Sequence, residues 1–208
     1  MPFPERPTEA DVRGVRVIHD ALTPGTQAEL VEAVRQIARE APFLTPETRP
    51  GRKMTVRMTS AGRLGWVSDR RGYRYEPRHP SGMPWPPIPD IALDVWRNWS
   101  GVERLPDSCL VNFYGEGARM GLHQDRDEGD LGWPVVSISL GDDALFRVGG
   151  TTRGGATAST WLRSGDVVVL AGAARLAFHG IDRLRFGSSD LLRDGGRINL
   201  TLRVVDLA

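Results

Sequence analysis

Apolar positions along the chain change their period once, near residue 108. Before it, Leu30, Val31, Val34, Ile37 and Ala38 recur at three- and four-residue steps, the spacing that lines one face of a helix. Thr23-Pro24 supplies an N-cap and a proline at the first helical position, and Pro42 closes the run. The pattern therefore predicts an amphipathic helix over 24–40. Ile88, Ile91, Ala92, Val95 and Trp96 predict a second helix near 88–99, introduced by Pro84, Pro86, Pro87 and Pro89. Between the two, residues 50–87 are rich in Gly, Pro, Arg and aromatics and read as short strands and long loops on the surface.

After residue 108 short apolar runs take over, at 109–114, 134–140, 144–148, 159–163, 166–171, 175–179 and 196–205. Turn glycines separate them, among them Gly141, Gly149-Gly150, Gly165 and Gly195-Gly196. Many short strands at such spacing predict an antiparallel sandwich or barrel. The expected fold class is α+β in a single domain over 1–208: an extension and helix (1–44), a variable segment (45–87), then a helix and a β-rich core (88–208).

Composition narrows the class. With 208 residues, 40% hydrophobic and 25% charged, the chain can bury a sizeable core unaided. No stretch approaches the ~18 uninterrupted apolar residues of a membrane-spanning helix, and Met1 to Asp11 is polar and proline-rich, unlike a signal peptide. Cys109 is the only cysteine, so an intramolecular disulfide and a cysteine-rich zinc site are excluded. These features predict a cytoplasmic protein. The net charge is +1, but residues 47–78 hold nine basic side chains (Arg49, Arg52, Lys53, Arg57, Arg63, Arg70, Arg71, Arg74, Arg78) against three acids. Such a segment can attract a polyanion, although a solvated arginine-rich surface is the simpler origin.

Of four histidines, His123 stands in Gly121-Leu122-His123-Gln124-Asp125. In an extended segment residues two apart face the same way, so His123 and Asp125 can hold one ion. His179, at the end of the run Leu176-Ala177-Phe178, is the best third ligand. Two imidazoles and one carboxylate leave metal positions open, as non-haem Fe(II) oxygenases require. Zinc hydrolases use the same ligand types, so the ligands alone leave the metal open. In Arg197–Val204 alternation is strict: Arg197, Asn199, Thr201 and Arg203 share one face, and Ile198, Leu200, Leu202 and Val204 the other. Asn112 and Tyr114 share a face in the same way. Water satisfies most such polar faces. Two guanidinium groups in a row also suit a dicarboxylate such as 2-oxoglutarate.

With these residues in place the chain resembles the AlkB family, iron/2-oxoglutarate dioxygenases that repair alkylated nucleic acid. His123-Gln124-Asp125-Arg126-Asp127-Glu128 and Arg197-Ile198-Asn199-Leu200-Thr201 are the specific signatures, and the match spans roughly residues 43–204. Leu64-Gly65-Trp66, Gly72-Tyr73-Arg74-Tyr75 and Gly165-Asp166-Val167-Val168-Val169 add to it. The resemblance implies a double-stranded β-helix (jelly-roll) core with N-terminal helices and a nucleotide-recognition lid over 45–87. It implies Fe(II) on His123, Asp125 and His179, and 2-oxoglutarate on Asn112, Tyr114, Arg197, Asn199 and Arg203, with O₂ as co-substrate. It implies that Trp66 stacks on the damaged base, that Tyr73 and Tyr75 touch the nucleotide, and that Asp127 and Glu128 lie near the base edge. Arg126 and Arg153 become substrate contacts, and Met54 and Met58 base-pocket candidates. The other tryptophans, Trp85, Trp96, Trp99, Trp133 and Trp161, are assigned to packing. Ile198 and Leu202 stand where the family commonly has aromatics.

The implied activity is oxidative dealkylation of N-alkylated bases in DNA, of the 1-methyladenine and 3-methylcytosine type, releasing aldehyde, succinate and CO₂. The implied partner is alkylated single- or double-stranded DNA, with RNA as a second nucleic acid, no membrane, and a monomeric protein. Two other readings stay open: the same chemistry on RNA, tRNA or a small molecule, and a jelly-roll module that binds without catalysis.

Overall fold

In the computed structural model, which describes residues 3–5, 7–47 and 51–206, the helical period at 24–40 becomes α1 (Pro24–Glu40). Thr23 Oγ1 accepts the Thr26 amide at 3.2 Å, so a cap fixes the start. Leu30, Val31, Val34 and Ile37 form the buried stripe. The second helix, α2 (Asp90–Trp99), buries Ala92, Val95 and Trp96. Neither helix is long and apolar enough to cross a membrane.

Thirteen described strands follow the two-residue period: β1 (Thr8–Val12), β2 (Val15–His19), β3 (Val56–Gly62), β4 (Gly65–Asp69), β5 (Gly72–Glu76), β6 (Ser108–Tyr114), β7 (Met120–His123), β8 (Val135–Gly141), β9 (Asp143–Val148), β10 (Ala158–Leu162), β11 (Val167–Leu170), β12 (His179–Arg185) and β13 (Arg197–Arg203). The larger sheet runs β1-β2-β11-β8-β13-β6-β3, the smaller β10-β9-β12-β7, and β4-β5 form a separate hairpin. All pairs are antiparallel. The fold is the double-stranded β-helix.

The central strands of the larger sheet are buried on both faces. Ile138, Leu140, Val167, Val169, Ile198, Leu200 and Leu202 pack with the stripes of α1 and α2. Leu110, Tyr114, Val168 and Leu170 turn the other way and pack with Phe146, Val148, Leu162 and Ile181 of the smaller sheet and its neighbours. Two-sided burial explains why β8 and β11 read as nearly unbroken apolar runs.

Three expectations need correction. The stretch 8–19 was expected as an extension, yet β1 and β2 pair tightly, and β2 adds to β11. Its signal was masked because Glu9, Asp11 and Arg16 occupy exposed positions while only Val15, Val17 and Ile18 are fully buried. β3 was expected on the surface, but Val56, Ser60 and Ala61 have no exposure, and the strand pairs with β6 along its whole length. Its small and polar side chains hide its burial because their backbone groups are satisfied in the ladder. Finally, 175–178 is not strand. A short 3₁₀ turn (Gly172–Ala174) precedes it, and β12 begins at His179 and continues to Arg185.

The β4–β5 hairpin is seated by Trp85. Its indole Nε1 donates to the Glu76 carbonyl at 2.9 Å, and a Cβ on Gly65 would fall 2.2 Å from its ring, so only glycine admits it. Trp96 is fully buried with Trp85 nearly so, and Trp99 and Trp133 pack against the helical core. Trp161 lies under Arg185, whose guanidinium carbon is 4.5 Å from its ring centre.

Candidate metal centre

His123 ends β7 and His179 begins β12, and the register places the two residues directly opposite each other. Their ring centres are 4.6 Å apart. Each ring is oriented by its own backbone: His123 Nδ1 donates to the Gly121 carbonyl at 3.0 Å and His179 Nδ1 to the Ala177 carbonyl at 2.9 Å. That tautomer leaves both Nε2 lone pairs for a metal. Asp125 follows β7, with Oδ1 3.7 Å from His123 Nε2 and Oδ2 3.9 Å from His179 Nε2. One donor atom from each of the three lies within 4.8 Å of the others. Metal–ligand bonds of about 2.0–2.2 Å allow one ion to bridge such a set.

Local charge prepares these groups for a cation. Burial pushes the His179 imidazole down to about 4, so it is neutral near physiological pH. Burial alone would raise the Asp125 carboxyl, but Arg203, His179 and His123 together outweigh it and hold the group ionised. Arg203 meets Asp125 Oδ2 through Nη2 at 2.7 Å and Nε at 3.2 Å, and its Nε lies 3.1 Å from Glu128 Oε1.

The three residues line a cavity of about 290 Å³. Its floor is the polar face of β13, with Arg197, Asn199, Thr201 and Arg203, joined by Asn112 and Tyr114 of β6. Register explains the grouping: Asn199 stands opposite Asn112, and Arg197 opposite Tyr114. Asn199 Nδ2 donates to Ser137 Oγ at 2.6 Å, and Asn112 Nδ2 to Asn199 Oδ1 at 3.3 Å. Arg197 is 1% exposed. Its Nη2 donates to Ser139 Oγ at 2.9 Å, but Nε and Nη1 have no partner, and no described carboxylate pairs with it. Arg203 Nη1 and Asn112 Oδ1 are also buried without partners. Buried donors left over at both ends of a row suit a ligand with a carboxylate at each end. Arg203 and Arg175 offset Asp125 and Glu128, which leaves the buried Arg197 charge for an added carboxylate.

The β4–β5 hairpin covers one side of the cavity. Trp66 and Tyr73 stack with ring centres 5.3 Å apart and planes at 27°. Trp66 Nε1 donates to Asp127 Oδ2 at 3.3 Å, and Tyr75 Oη to Glu128 Oε1 at 3.1 Å. All five residues line the cavity, as do Met54 and Met58. Arg126 and Arg153 are exposed and outside it, and Arg153 lies 5.6 Å from the Phe178 ring centre. Glu128 is buried, with its carboxylate held by Tyr75, Arg203 and Arg175. Part of the basic segment is ion-paired: Arg74 with Asp69 and Glu76, Arg71 with Asp69 and Arg70 with Glu47 inside it, and Arg63 with Asp107 and Asp206 beyond it. Arg49 lies outside the described residues. His19 and His79 are structural, bonding Asp166 at 2.9 Å and Ser81 at 2.7 Å.

Sequence reasoning missed Ser137, Ser139, Gln124 and Arg175. The two serines alternate inside the apolar run of β8, which was the available signal. Gln124 Nε2 donates to the Leu176 carbonyl at 2.6 Å and the Thr151 carbonyl at 3.0 Å. Arg175 donates through Nε to the Trp133 carbonyl and through Nη1 to the Asp125 carbonyl, both at 2.7 Å, and its Nη2 lies 3.2 Å from Glu128 Oε2.

Comparison with known proteins agrees with this geometry. Residues 14–203 match the model of the 2OG-Fe(II) oxygenase superfamily. The chain is 56% identical over 193 residues to an alpha-ketoglutarate-dependent dioxygenase AlkB homolog of Caulobacter vibrioides, covering 92% of this chain and 88% of that one. It is 40% identical over 180 residues to the alpha-ketoglutarate-dependent dioxygenase AlkB of Escherichia coli, covering 84% and 83%. Alpha-ketoglutarate is 2-oxoglutarate. The solved structure of OsALKBH1 superposes with a TM-score of 0.80 at 31% identity, covering 95% of this chain and 100% of that one.

Proposed function

The chain belongs to the 2OG-Fe(II) oxygenase superfamily and, within it, to the AlkB family, and from that premise we propose that it oxidatively removes alkyl groups from nitrogen atoms of bases in DNA. One observation carries the assignment of roles. Three convergent donors, His123, Asp125 and His179, share a cavity with a buried guanidinium, Arg197, that has no carboxylate partner among the described residues.

In this reading His123, Asp125 and His179 hold Fe(II), and Asn112, Tyr114, Arg197, Asn199 and Arg203 hold 2-oxoglutarate. Bound there, the iron with 2-oxoglutarate and O₂ supplies the oxidation, which yields succinate, CO₂ and an aldehyde from the alkyl carbon. Arg197 takes the carboxylate distant from the metal ligands. Arg203 keeps Asp125 ionised and offers its remaining Nη1 to the nearer one. The apolar wall of Leu110, Val135, Phe146, Leu162 and Leu170 excludes water from between these groups.

Trp66, Tyr73 and Tyr75 form the base platform, and Asp127 faces the edge of a base that enters it. Bases such as 1-methyladenine and 3-methylcytosine carry positive charge, which an acidic edge favours. Arg126 and Arg153, both exposed, serve as phosphate contacts in this reading. The single, buried Cys109 fits a reducing compartment, the cytoplasm.

The test is turnover with Fe(II), ascorbate and 2-oxoglutarate on methylated DNA and RNA oligomers side by side. Demethylation of the DNA with matching succinate release is expected. Succinate release with both oligomers unchanged would overturn the nucleic-acid substrate. RNA turnover alone would move the reading to RNA.

A further inference from the structure

The three metal-ligand candidates are not held alike. His123 and His179 belong to paired strands, and each ring is fixed by a carbonyl of its own strand or the turn before it. Asp125 sits after the end of β7, in a segment without regular structure that runs to Pro134. No sheet ladder holds its backbone. Two arginines hold it instead: Arg203 grips the carboxylate, and Arg175 grips the main-chain carbonyl at 2.7 Å.

We infer that Arg175 is a positioning residue for the metal centre, fixing the Asp125 arm against the segment that carries His179. This rests on the reading of His123, Asp125 and His179 as metal ligands. Arg175 is 4% exposed, and its three nitrogens all face the 125–133 segment: Nη1 and Nε donate to the Asp125 and Trp133 carbonyls, and Nη2 forms an ion pair with Glu128 Oε2 at 3.2 Å. A planar fork with fixed donor directions can hold three acceptors at once, which a lysine cannot. The clamp starts from a rigid base. The Arg175 amide closes the 3₁₀ turn onto Gly172, and the Ala177 amide bonds the Ala174 carbonyl. The Ala177 carbonyl then accepts His179 Nδ1. Gln124, between the two ligands of the first arm, reaches the same segment at the Leu176 carbonyl. The guanidinium therefore joins the two ligand arms at a place where the sheet does not. Through Glu128 it also presents the other carboxylate oxygen to Tyr75 and Arg203.

The test uses the full chain and Co(II) as the probe, with wild type, His179→Ala, Arg175→Met and Arg175→Lys compared. Readouts are the Co(II) dissociation constant, the visible ligand-field spectrum and the melting temperature of the metal-free protein. Wild type should bind and His179→Ala should not. Folded Arg175→Met should bind roughly ten-fold or more weakly, the scale of losing a group that orients a ligand, with an altered spectrum. Arg175→Lys should recover part of the loss. A folded Arg175→Met with wild-type affinity and spectrum overturns the inference. If that variant does not fold, Arg175→Lys decides by the same readouts. If neither folds even with saturating Co(II), Arg175 serves the whole fold and the inference falls. A wild type that does not bind Co(II) sinks the metal reading itself and the inference with it.

Discussion

His123 and His179 stand opposite each other across β7 and β12, and each turns its Nδ1–H onto the carbonyl two residues before it. Neither imidazole is anchored by the other, so removing one should leave the sheet intact. His179→Ala should keep the wild-type circular dichroism while losing Fe(II) affinity by at least about 100-fold, since three ligands become two. Anaerobic titration of the wild type with Fe(II) and 2-oxoglutarate should give a weak visible charge-transfer band. A full-strength band in His179→Ala would remove that residue from the ligand set.

The two β13 arginines should respond oppositely to truncation. Arg197 is buried with two nitrogens unpartnered, and burial lowers its pKa, so its charge burdens the ligand-free fold. Arg203 is buried between Asp125 and Glu128, and those carboxylates raise its pKa despite burial. Arg197→Met should hold or raise the melting temperature of the ligand-free protein while raising the KM for 2-oxoglutarate by about ten-fold or more, a charge-assisted bond pair being lost. Arg203→Met should destabilise the fold by about 3–5 kcal/mol, because buried Asp125 loses its arginine partner and Glu128 keeps only Arg175. Thermal unfolding with and without 2-oxoglutarate checks both. Equal destabilisation by the two substitutions would contradict the charge assignment.

How far the sequence reached follows the same physics. The faces of β13 were legible because both are buried with opposite chemistry, so strict alternation survives in Arg197-Ile198-Asn199-Leu200. His123 and Asp125 were legible because two-residue spacing needs no partner strand. The pairing that brings His179 to them was inferred rather than read, since β7 is four residues long and gives almost no strand signal. Ser137 and Ser139 vanished inside an apolar run, and Arg175 among alanines, because their roles are set by backbone carbonyls and distant side chains. β1 and β3 were lost for a related reason: edge strands and small-residue strands owe their place to the ladder, which leaves little trace in side-chain type.

Trp66 presents a stacked platform with Tyr73 and donates its indole proton to Asp127. Base stacking on an aromatic contributes about 1–3 kcal/mol, so Trp66→Ala should weaken binding of a methylated oligonucleotide by roughly ten-fold or more. Trp66→Phe keeps the ring and loses the Asp127 bond, so it should recover most of the affinity. The KM for 2-oxoglutarate should not move in either. Fluorescence anisotropy with a labelled strand measures this, and undiminished binding by Trp66→Ala would remove the platform.

Cys109 has no exposure on β6, and burial pushes its thiol up from 9.0 to about 12. An acid that holds its proton more tightly in the folded state adds stability below its unfolded pKa. That contribution fades as pH rises from 9 toward 12. Native protein should therefore resist iodoacetamide at about pH 8 and react once denatured. Denaturant midpoints at about pH 8 and about pH 10 should fall further for wild type than for Cys109→Ala. Equal falls would mean that other groups dominate the alkaline limb.

Gly180 follows His179 directly, and a Cβ there would lie 2.5 Å from the Met120 carbonyl oxygen and 2.8 Å from that of Gly121. Both are backbone atoms that cannot swing aside, and the Gly121 carbonyl is the one that orients His123. Gly180→Ala must therefore spread β7 from β12 at the pair that carries both imidazoles. The expected result is a folded protein with a melting temperature lowered by several degrees, about 1–3 kcal/mol of overpacking, and a larger loss in Fe(II) affinity. Gly149→Ala makes a suitable control, because its nearest contact is an ordinary 3.5 Å to Phe178 Cβ on the neighbouring segment. It should change the iron titration little. If Gly180→Ala binds Fe(II) as tightly as Gly149→Ala, the spacing between the two strands does not set the ligand geometry.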